Sequence, residues 1–147
     1  MFTPEFWSIW IASLVGTTLM TIFSMVLGIL MSKEFSEPKL LQVMFRPKNK
    51  NLRRKNEIGW ITHYLMGVFF AWSIWFCTDL IGGEYTYLNA LFLGVLLGLL
   101  GVVGWLLLFK FRKKPPQLDI PAFLVQLVFA HIVFSVSATA VFRFFFY

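Results

Sequence analysis

The sequence predicts an all-α membrane protein with four transmembrane helices. Of its 147 residues, 59% are hydrophobic and only 14% are charged, and 18 of them are phenylalanine. A soluble core of this size could not hold so many rings, so the surplus must face lipid. Four apolar segments exceed the roughly 20 residues that cross a bilayer: about 6–31, 58–81, 87–109 and 121–142. We expect one domain, residues 1–147, folded as an antiparallel bundle.

The first predicted helix, 6–31, is too long for the apolar part of a signal peptide, and no basic residue precedes it. It is therefore assigned as a membrane span. One of its faces carries small and hydroxyl residues at helical spacing, which indicates packing against a neighbouring helix: Ser13, Thr17, Thr21, Ser24 and Gly28. A polar cavity lined by these hydroxyls is the alternative interpretation.

Basic residues cluster in two connections. All but Arg143 of the 13 lysines and arginines lie in the segments 32–57 and 110–114. By the positive-inside rule both connections are cytoplasmic, so both termini lie outside. The sequence thus predicts a multi-pass protein of a bacterial inner membrane with periplasmic termini and a basic cytoplasmic loop at 32–57.

Eight of these basic residues are expected to contact anionic lipid headgroups at the cytoplasmic face: Lys48, Lys50, Arg53, Arg54, Lys55, Arg112, Lys113 and Lys114. A nucleic-acid patch is the alternative, but no aromatic residues alternate with the charges, so we expect no nucleic-acid partner. Earlier in the same loop, Ser36 as N-cap and Pro38 in the first turn predict a short interfacial helix at about 37–45.

Small residues also mark the later helices at four-residue spacing, as in membrane helices that approach closely. In the third helix the small-xxx-small motif occurs twice in succession, at Ala90, Gly94 and Gly98, and Gly104 lies nearby. Lys113-Lys114-Pro115-Pro116 ends this helix, and Asp119 and Pro121 begin the fourth. The predicted helix-packing residues are Gly59, Gly67, Ala71, Ala90, Gly94, Gly98, Gly101 and Ser135.

Two histidines are the candidate functional residues. No carboxylate lies deep within a predicted span, since Asp79 is assigned to the short outer connection. His63 and His131, apart from Tyr64, are therefore the ionisable groups at membrane depth, where such residues mark functional sites. Each is followed by small residues at intervals of four. Counted from the inner helix ends, their depths differ by about 10 Å, whereas counted from the outer ends they nearly agree, so both arrangements stay open.

Three interpretations of these histidines stay open. The first is a neutral imidazole that is hydrogen-bonded across helices. The second is axial ligation of haem b between the second and fourth helices. The third is a polar contact to a quinone or a lipid headgroup. A structural zinc site is excluded because Cys77 is the single cysteine and no Cys/His cluster is present.

The pattern Gly59-Trp60-x-x-His63-Tyr64-x-x-Gly67, the segment Gly101-x-x-Gly104-Trp105 and the pair Ala130-His131 resemble a group of small four-span bacterial membrane proteins of unknown function. The resemblance covers about residues 58–142. It implies the same four-helix architecture and supplies no activity, cofactor or catalytic residue.

No hydrolase, metalloprotease or phosphate-loop motif is present, so we expect no catalytic residue. The leading hypothesis is a non-catalytic subunit, scaffold or accessory of a larger membrane assembly, with other membrane chains or further copies of itself as partners. The first alternative is a haem-binding or quinone-linked redox protein that uses His63 and His131. The second is a subunit of an oligomeric transporter or channel.

Overall fold

The computed structural model describes residues 3–45, 57–81, 83–111 and 118–147. Within these ranges the protein is all-helical, with no β-strand. Its five helices are α1 (Pro4–Met31), α2 (Glu37–Met44), α3 (Glu57–Leu80), α4 (Tyr87–Phe111) and α5 (Ile120–Phe146). The prediction of four long apolar helices is confirmed, because α1, α3, α4 and α5 are each long and apolar enough to cross a membrane.

The helix ends follow from local sequence. α1 ends at Met31 because Ser32 adopts a left-handed conformation, with φ 53°, and the next N–H, of Lys33, bonds back to the Gly28 carbonyl at 2.9 Å. α5 begins at Ile120 because the Asp119 carboxylate accepts a hydrogen bond of 3.1 Å from the Ala122 amide. The Lys33 ammonium donates to the same carboxylate at 2.7 Å, which lowers the pKa of Asp119 and ties the end of α1 to the start of α5.

α5 is the central helix of the fold. It packs along α1 on one side and along α4 on the other, while α1 also packs against α3 and α2 packs against α3. By contrast, α3 touches α5 at few positions and has almost no direct contact with α4. The four long helices therefore leave a gap between α3 and α4, and the side chains of α1 and α5 lie behind it.

Glycines allow the closest helix contacts. A Cβ atom on Gly94 would lie 2.7 Å from Cα of Ile132, and one on Gly98 would lie 2.8 Å from Cα of Val128. The backbones of α4 and α5 thus meet without intervening side chains, as small-residue motifs permit in membrane helices.

The short helix α2 is partly buried. Its residues Glu37, Pro38, Leu40 and Leu41 are buried, and its backbone lies against Gly59 of α3, where a Cβ would meet the Pro38 carbonyl oxygen. Its placement at a membrane surface stays a prediction. What the structure adds is that α2 carries a carboxylate into contact with the long helices.

A candidate ligand-binding cavity between α3 and α4

A cavity of about 510 Å³ occupies the gap between α3 and α4. Side chains of α1 and α5 line its inner wall, and α2 closes one end with Glu37 and Leu41. Its wall is almost entirely apolar, and half-exposed side chains of α3 and α4 flank its opening: Met66, Phe69, Leu100, Val103 and Leu107. Both predicted site histidines, His63 and His131, line this one cavity.

Other surface hollows lack this combination. One of about 720 Å³, along α1 and α5, is larger, but its only polar lining residues are Tyr87 and Ser137. Among the hollows found in the described residues, the α3/α4 cavity is distinguished because two imidazoles and a carboxyl group meet in it. An apolar cavity with a few convergent polar groups is the usual form of a small-molecule site.

His131 presents an open ring nitrogen. Its Nδ1 donates a 2.7 Å hydrogen bond to the Leu127 carbonyl one turn earlier, which places the ring proton on Nδ1. In the neutral ring Nε2 then carries a lone pair, and no described residue donates to it. Gly101 lies beside this atom: a Cβ there would be 3.1 Å from Nε2. The ring also meets Phe70 edge to face, with centroids 5.1 Å apart.

His63 is held by α1. Its Nε2 lies 2.9 Å from the Thr21 hydroxyl, which donates its own hydrogen to the Thr17 carbonyl at 2.7 Å. The threonine oxygen therefore accepts from His63, and the ring proton sits on Nε2. The adjacent Tyr64 hydroxyl meets Thr18 at 3.0 Å, so two consecutive residues of α3 are bonded to α1.

A buried polar cluster joins three helices at the α2 end of the cavity. Oε1 of Glu37 accepts a hydrogen bond of 2.7 Å from Ser24 of α1, and Nε2 of Gln126, on α5, donates to the same serine at 2.6 Å. The amide nitrogen also lies 3.4 Å from Oε1. Two further atoms of the cluster, Oε2 of Glu37 and Oε1 of Gln126, are buried without a partner among the described residues.

The surroundings of Glu37 alter its acidity. Its side chain is only 2% exposed, and loss of solvation raises the pKa to about 7 against the opposing hydrogen bonds from Ser24 and Gln126. A carboxyl group with such a pKa is protonated in a substantial fraction of molecules near neutral pH. Glu37 can therefore act as a hydrogen-bond donor as well as an acceptor.

The predicted packing residues lie at several interfaces. Gly59 faces α2, Gly67 faces Thr17 of α1, and Gly94 and Gly98 face α5. Gly101 abuts His131, and Gly94 also approaches Ser135, whose hydroxyl is buried without a partner among the described residues. Ala71 and Ala90 are both buried. The eight basic residues assigned to headgroup contact, at 48–55 and 112–114, lie outside the described residues.

Sequence reasoning missed Glu37. The carboxylates of the long helices, Glu5, Glu57 and Asp79, each lie at or next to a helix end, but α2 brings Glu37 into contact with α1 and α5. A signal was present in Ser24 and Gln126, since a hydroxyl and an amide within apolar helices need polar partners. Nothing in the local sequence showed that the partner lies in the basic loop.

The donor set fits haem b poorly. Only His131 offers a free Nε2, because that of His63 is bonded to Thr21. No lysine or arginine is among the described residues that line the cavity, so haem propionates would have no cationic partner there. Among the described residues, no group of three or more His, Cys, Asp or Glu side chains is placed to hold a metal ion.

Comparisons with protein-family models, with curated proteins and with solved structures find no match to this chain.

Proposed function

We propose that this chain is an integral membrane protein that binds a lipophilic small molecule in the α3/α4 cavity. The supporting observation is the convergence of His63, His131 and Glu37 on one apolar cavity of about 510 Å³. Polar side chains within apolar helices are costly to maintain for packing alone, and such groups gather at ligand and ion sites. The opening between two lipid-facing helices suits a ligand that is dissolved in the bilayer.

The membrane arrangement is part of the proposal. Gly94 lies beside Ile132 and Gly98 beside Val128, so rising numbers in α4 meet falling numbers in α5, which supports an antiparallel bundle. The basic residues of the two connections support a cytoplasmic side for α2 and periplasmic termini. A bacterial inner membrane is the compartment that this arrangement implies.

The leading hypothesis from the sequence, an accessory subunit or scaffold, has less support from the packing. It relied on small-residue seams that further chains would cover. Gly59, Gly67, Gly94 and Gly98 instead meet helices of the same chain. Those seams therefore give no reason to invoke a partner, whereas the cavity gives a reason to invoke a ligand.

A transporter or channel subunit would need a continuous polar path. The hydroxyl face of α1 was the candidate fragment, but Thr21 and Ser24 bond to carbonyls of their own helix and to His63 and Glu37. These hydrogen bonds join neighbouring side chains and carbonyls and do not line a continuous water-filled path. Ligand binding explains why polar groups converge on the cavity, which neither the accessory-subunit hypothesis nor the transporter hypothesis does.

The test is to identify what the protein retains. The full chain, purified in lipid nanodiscs, would be extracted with organic solvent and analysed by mass spectrometry. We expect a lipophilic compound in near-stoichiometric amount, above its level in empty nanodiscs. A visible spectrum of the same sample checks haem b directly, and a Soret band would replace the proposed ligand class with haem.

Two variants separate cavity binding from adsorption at the lipid-facing surface. Gly104→Leu adds bulk to the cavity lining, and nothing lies within 4 Å of a Cβ at this position. Leu106→Phe adds bulk on the same helix outside the cavity lining. The copurifying compound should be lost from Gly104→Leu and retained by Leu106→Phe. Equal retention in both, or none in the unaltered protein, would refute the proposal.

A further inference from the structure

We infer that the cavity recognises a lipophilic aromatic ring bearing hydroxyl groups, a quinol in preference to the corresponding quinone. This inference rests on the proposed function and names the chemistry of its ligand. It follows from the hydrogen-bonding state of the polar groups that face the cavity.

The first group is an acceptor. Nδ1 of His131 is committed to the Leu127 carbonyl, so the free Nε2 can only accept a hydrogen bond while the ring is neutral. A quinone carbonyl is also an acceptor and gains nothing at this position. A quinol hydroxyl can donate to Nε2. The hydrogen bond from Nδ1 to the Leu127 carbonyl already holds the imidazole in its orientation.

The second group is Glu37. Its Oε2 is buried and has no partner among the described residues, while Oε1 is already bonded to Ser24. A buried unpaired oxygen is unusual in a folded protein and indicates a missing partner. A hydroxyl serves in either protonation state, because it donates to a carboxylate and accepts from a carboxylic acid.

The spacing suits a single ring. Gln126, which contacts Glu37, and His131 are five residues apart on α5, a rise of about 7.5 Å along the helix. Because Glu37 lies beside Gln126, its carboxyl group and the His131 imidazole are offset along α5, as two contacts to oxygens on opposite edges of one ring require. Phe70 and Trp105 line the cavity and provide aromatic surfaces for that ring. The apolar opening then accommodates a hydrocarbon tail.

The experiment compares four probes on the full chain in nanodiscs, under anaerobic conditions. They are a decyl-substituted benzoquinol, its dimethyl ether, the corresponding quinone and a long-chain aliphatic alcohol. Binding is measured by equilibrium partition against empty nanodiscs. We expect the quinol to bind about tenfold more tightly than the ether or the quinone, which is the usual effect of one hydrogen bond. The aliphatic alcohol tests whether a hydroxyl without a ring suffices.

Variants at His131 identify the acceptor. His131→Phe keeps a ring but removes the acceptor, and it should abolish the preference for quinol over ether. His131→Gln places an amide oxygen near the position of Nε2 and should restore part of it. The comparison of probes on the unaltered protein needs no variant, so poor folding of His131→Phe would not prevent a decision.

The outcomes separate the two proposals. Equal affinity for quinol, ether and quinone would overturn the inference about the ligand, as would equal affinity for the aliphatic alcohol. If no probe binds but extraction still yields a compound that Gly104→Leu removes, the ligand class is wrong and the cavity function stands. If neither result is obtained, both proposals fail.

Discussion

Gln126 of α5 and Glu37 of α2 are 89 residues apart in sequence, yet the amide Nε2 lies 3.4 Å from the carboxyl Oε1. Ser24 of α1 bonds to both side chains, so three helices meet through one polar cluster. This contact fixes α2 against the long helices and places a carboxyl group at the end of the cavity.

The stability of the fold should depend on pH through Glu37. Burial raises its folded pKa from 4.5 to about 7, so the protonated form favours the folded state. The contribution of protonated Glu37 to the free energy of unfolding is complete below pH 4.5 and is lost as the pH rises through 7. A shift of this size corresponds to on the order of 3 kcal/mol. Equilibrium unfolding in mixed micelles between pH 4.5 and 8 would measure it.

Glu37→Gln should flatten that pH profile, because the amide cannot ionise. Glu34→Gln, which alters an exposed carboxylate in the same segment, is the matched control and should leave most of the slope in place, because the charge of Glu34 is the smallest contribution to the raised pKa of Glu37. A slope that persists in Glu37→Gln would assign the pH dependence to another group.

Gly98→Ala should destabilise the protein by about 1–3 kcal/mol, the usual cost of overpacking a tight contact. The added Cβ would lie 2.8 Å from Cα of Val128, and backbone atoms cannot rotate away. Gly104→Ala is the control on the same helix, where nothing lies within 4 Å of the new methyl group. It should be neutral or stabilising by up to about 1 kcal/mol, since alanine favours a helix over glycine. Denaturation midpoints in detergent compare the two, and equal midpoints would show that α4 and α5 do not touch at Gly98.

Thr21→Val should remove the hydrogen bond that holds the imidazole of His63 against α1. The expected loss is about 1 kcal/mol of stability, with more for the unpaired ring nitrogen. Thr21→Ser keeps the hydroxyl and should behave like the unaltered chain. Nitrogen chemical shifts of His63 report the tautomer, and an Nε2-protonated ring in both the unaltered protein and Thr21→Ser is the expected result. The Nδ1 tautomer in the unaltered protein would contradict the assignment.

Arg143 should anchor the end of α5. Its guanidinium donates to the Tyr85 carbonyl at 2.7 Å and lies over the Tyr87 and Tyr147 rings, at 5.5 and 5.6 Å. Arg143→Met should cost about 2 kcal/mol, the size of a hydrogen bond to a charged donor. Arg143→Lys keeps the charge and tests how much depends on the planar group. Limited proteolysis of the α3–α4 connection provides a local readout, and unchanged cleavage in Arg143→Met would contradict the anchoring role.

The orientation can be tested with introduced cysteines in a Cys77→Ser background. A membrane-impermeant maleimide should label Thr3→Cys in intact cells and Lys39→Cys only after permeabilisation. This follows from cytoplasmic basic connections. The opposite pattern would place the termini in the cytoplasm.

The sequence was sufficient for the helices and insufficient for the cavity. Long apolar runs and the helix-start signals Asp119 and Pro121 are local features, so the helix positions could be predicted. The relative depths of His63 and His131 could not be predicted, because counting residues from the helix ends assumes that all helices begin at the same level in the membrane. Both residues nevertheless line the same cavity.

The contribution of Glu37 was hidden for a different reason. Its partners Ser24 and Gln126 come from two other helices, and their meeting depends on how α2 folds back. Gly101 illustrates the same limit, since its spacing indicated helix packing, whereas its position provides room beside the imidazole of His131. Periodicity identifies which face of a helix is crowded and does not identify the neighbour.

The near absence of contact between α3 and α4 determines how a ligand would arrive. A molecule confined to the hydrocarbon phase could reach the cavity sideways, by diffusion in two dimensions, without crossing a layer of headgroups. Partitioning into the bilayer would already have concentrated it many-fold over water. A site supplied in this way can remain well occupied with modest intrinsic affinity, and release returns the molecule to the same lipid reservoir.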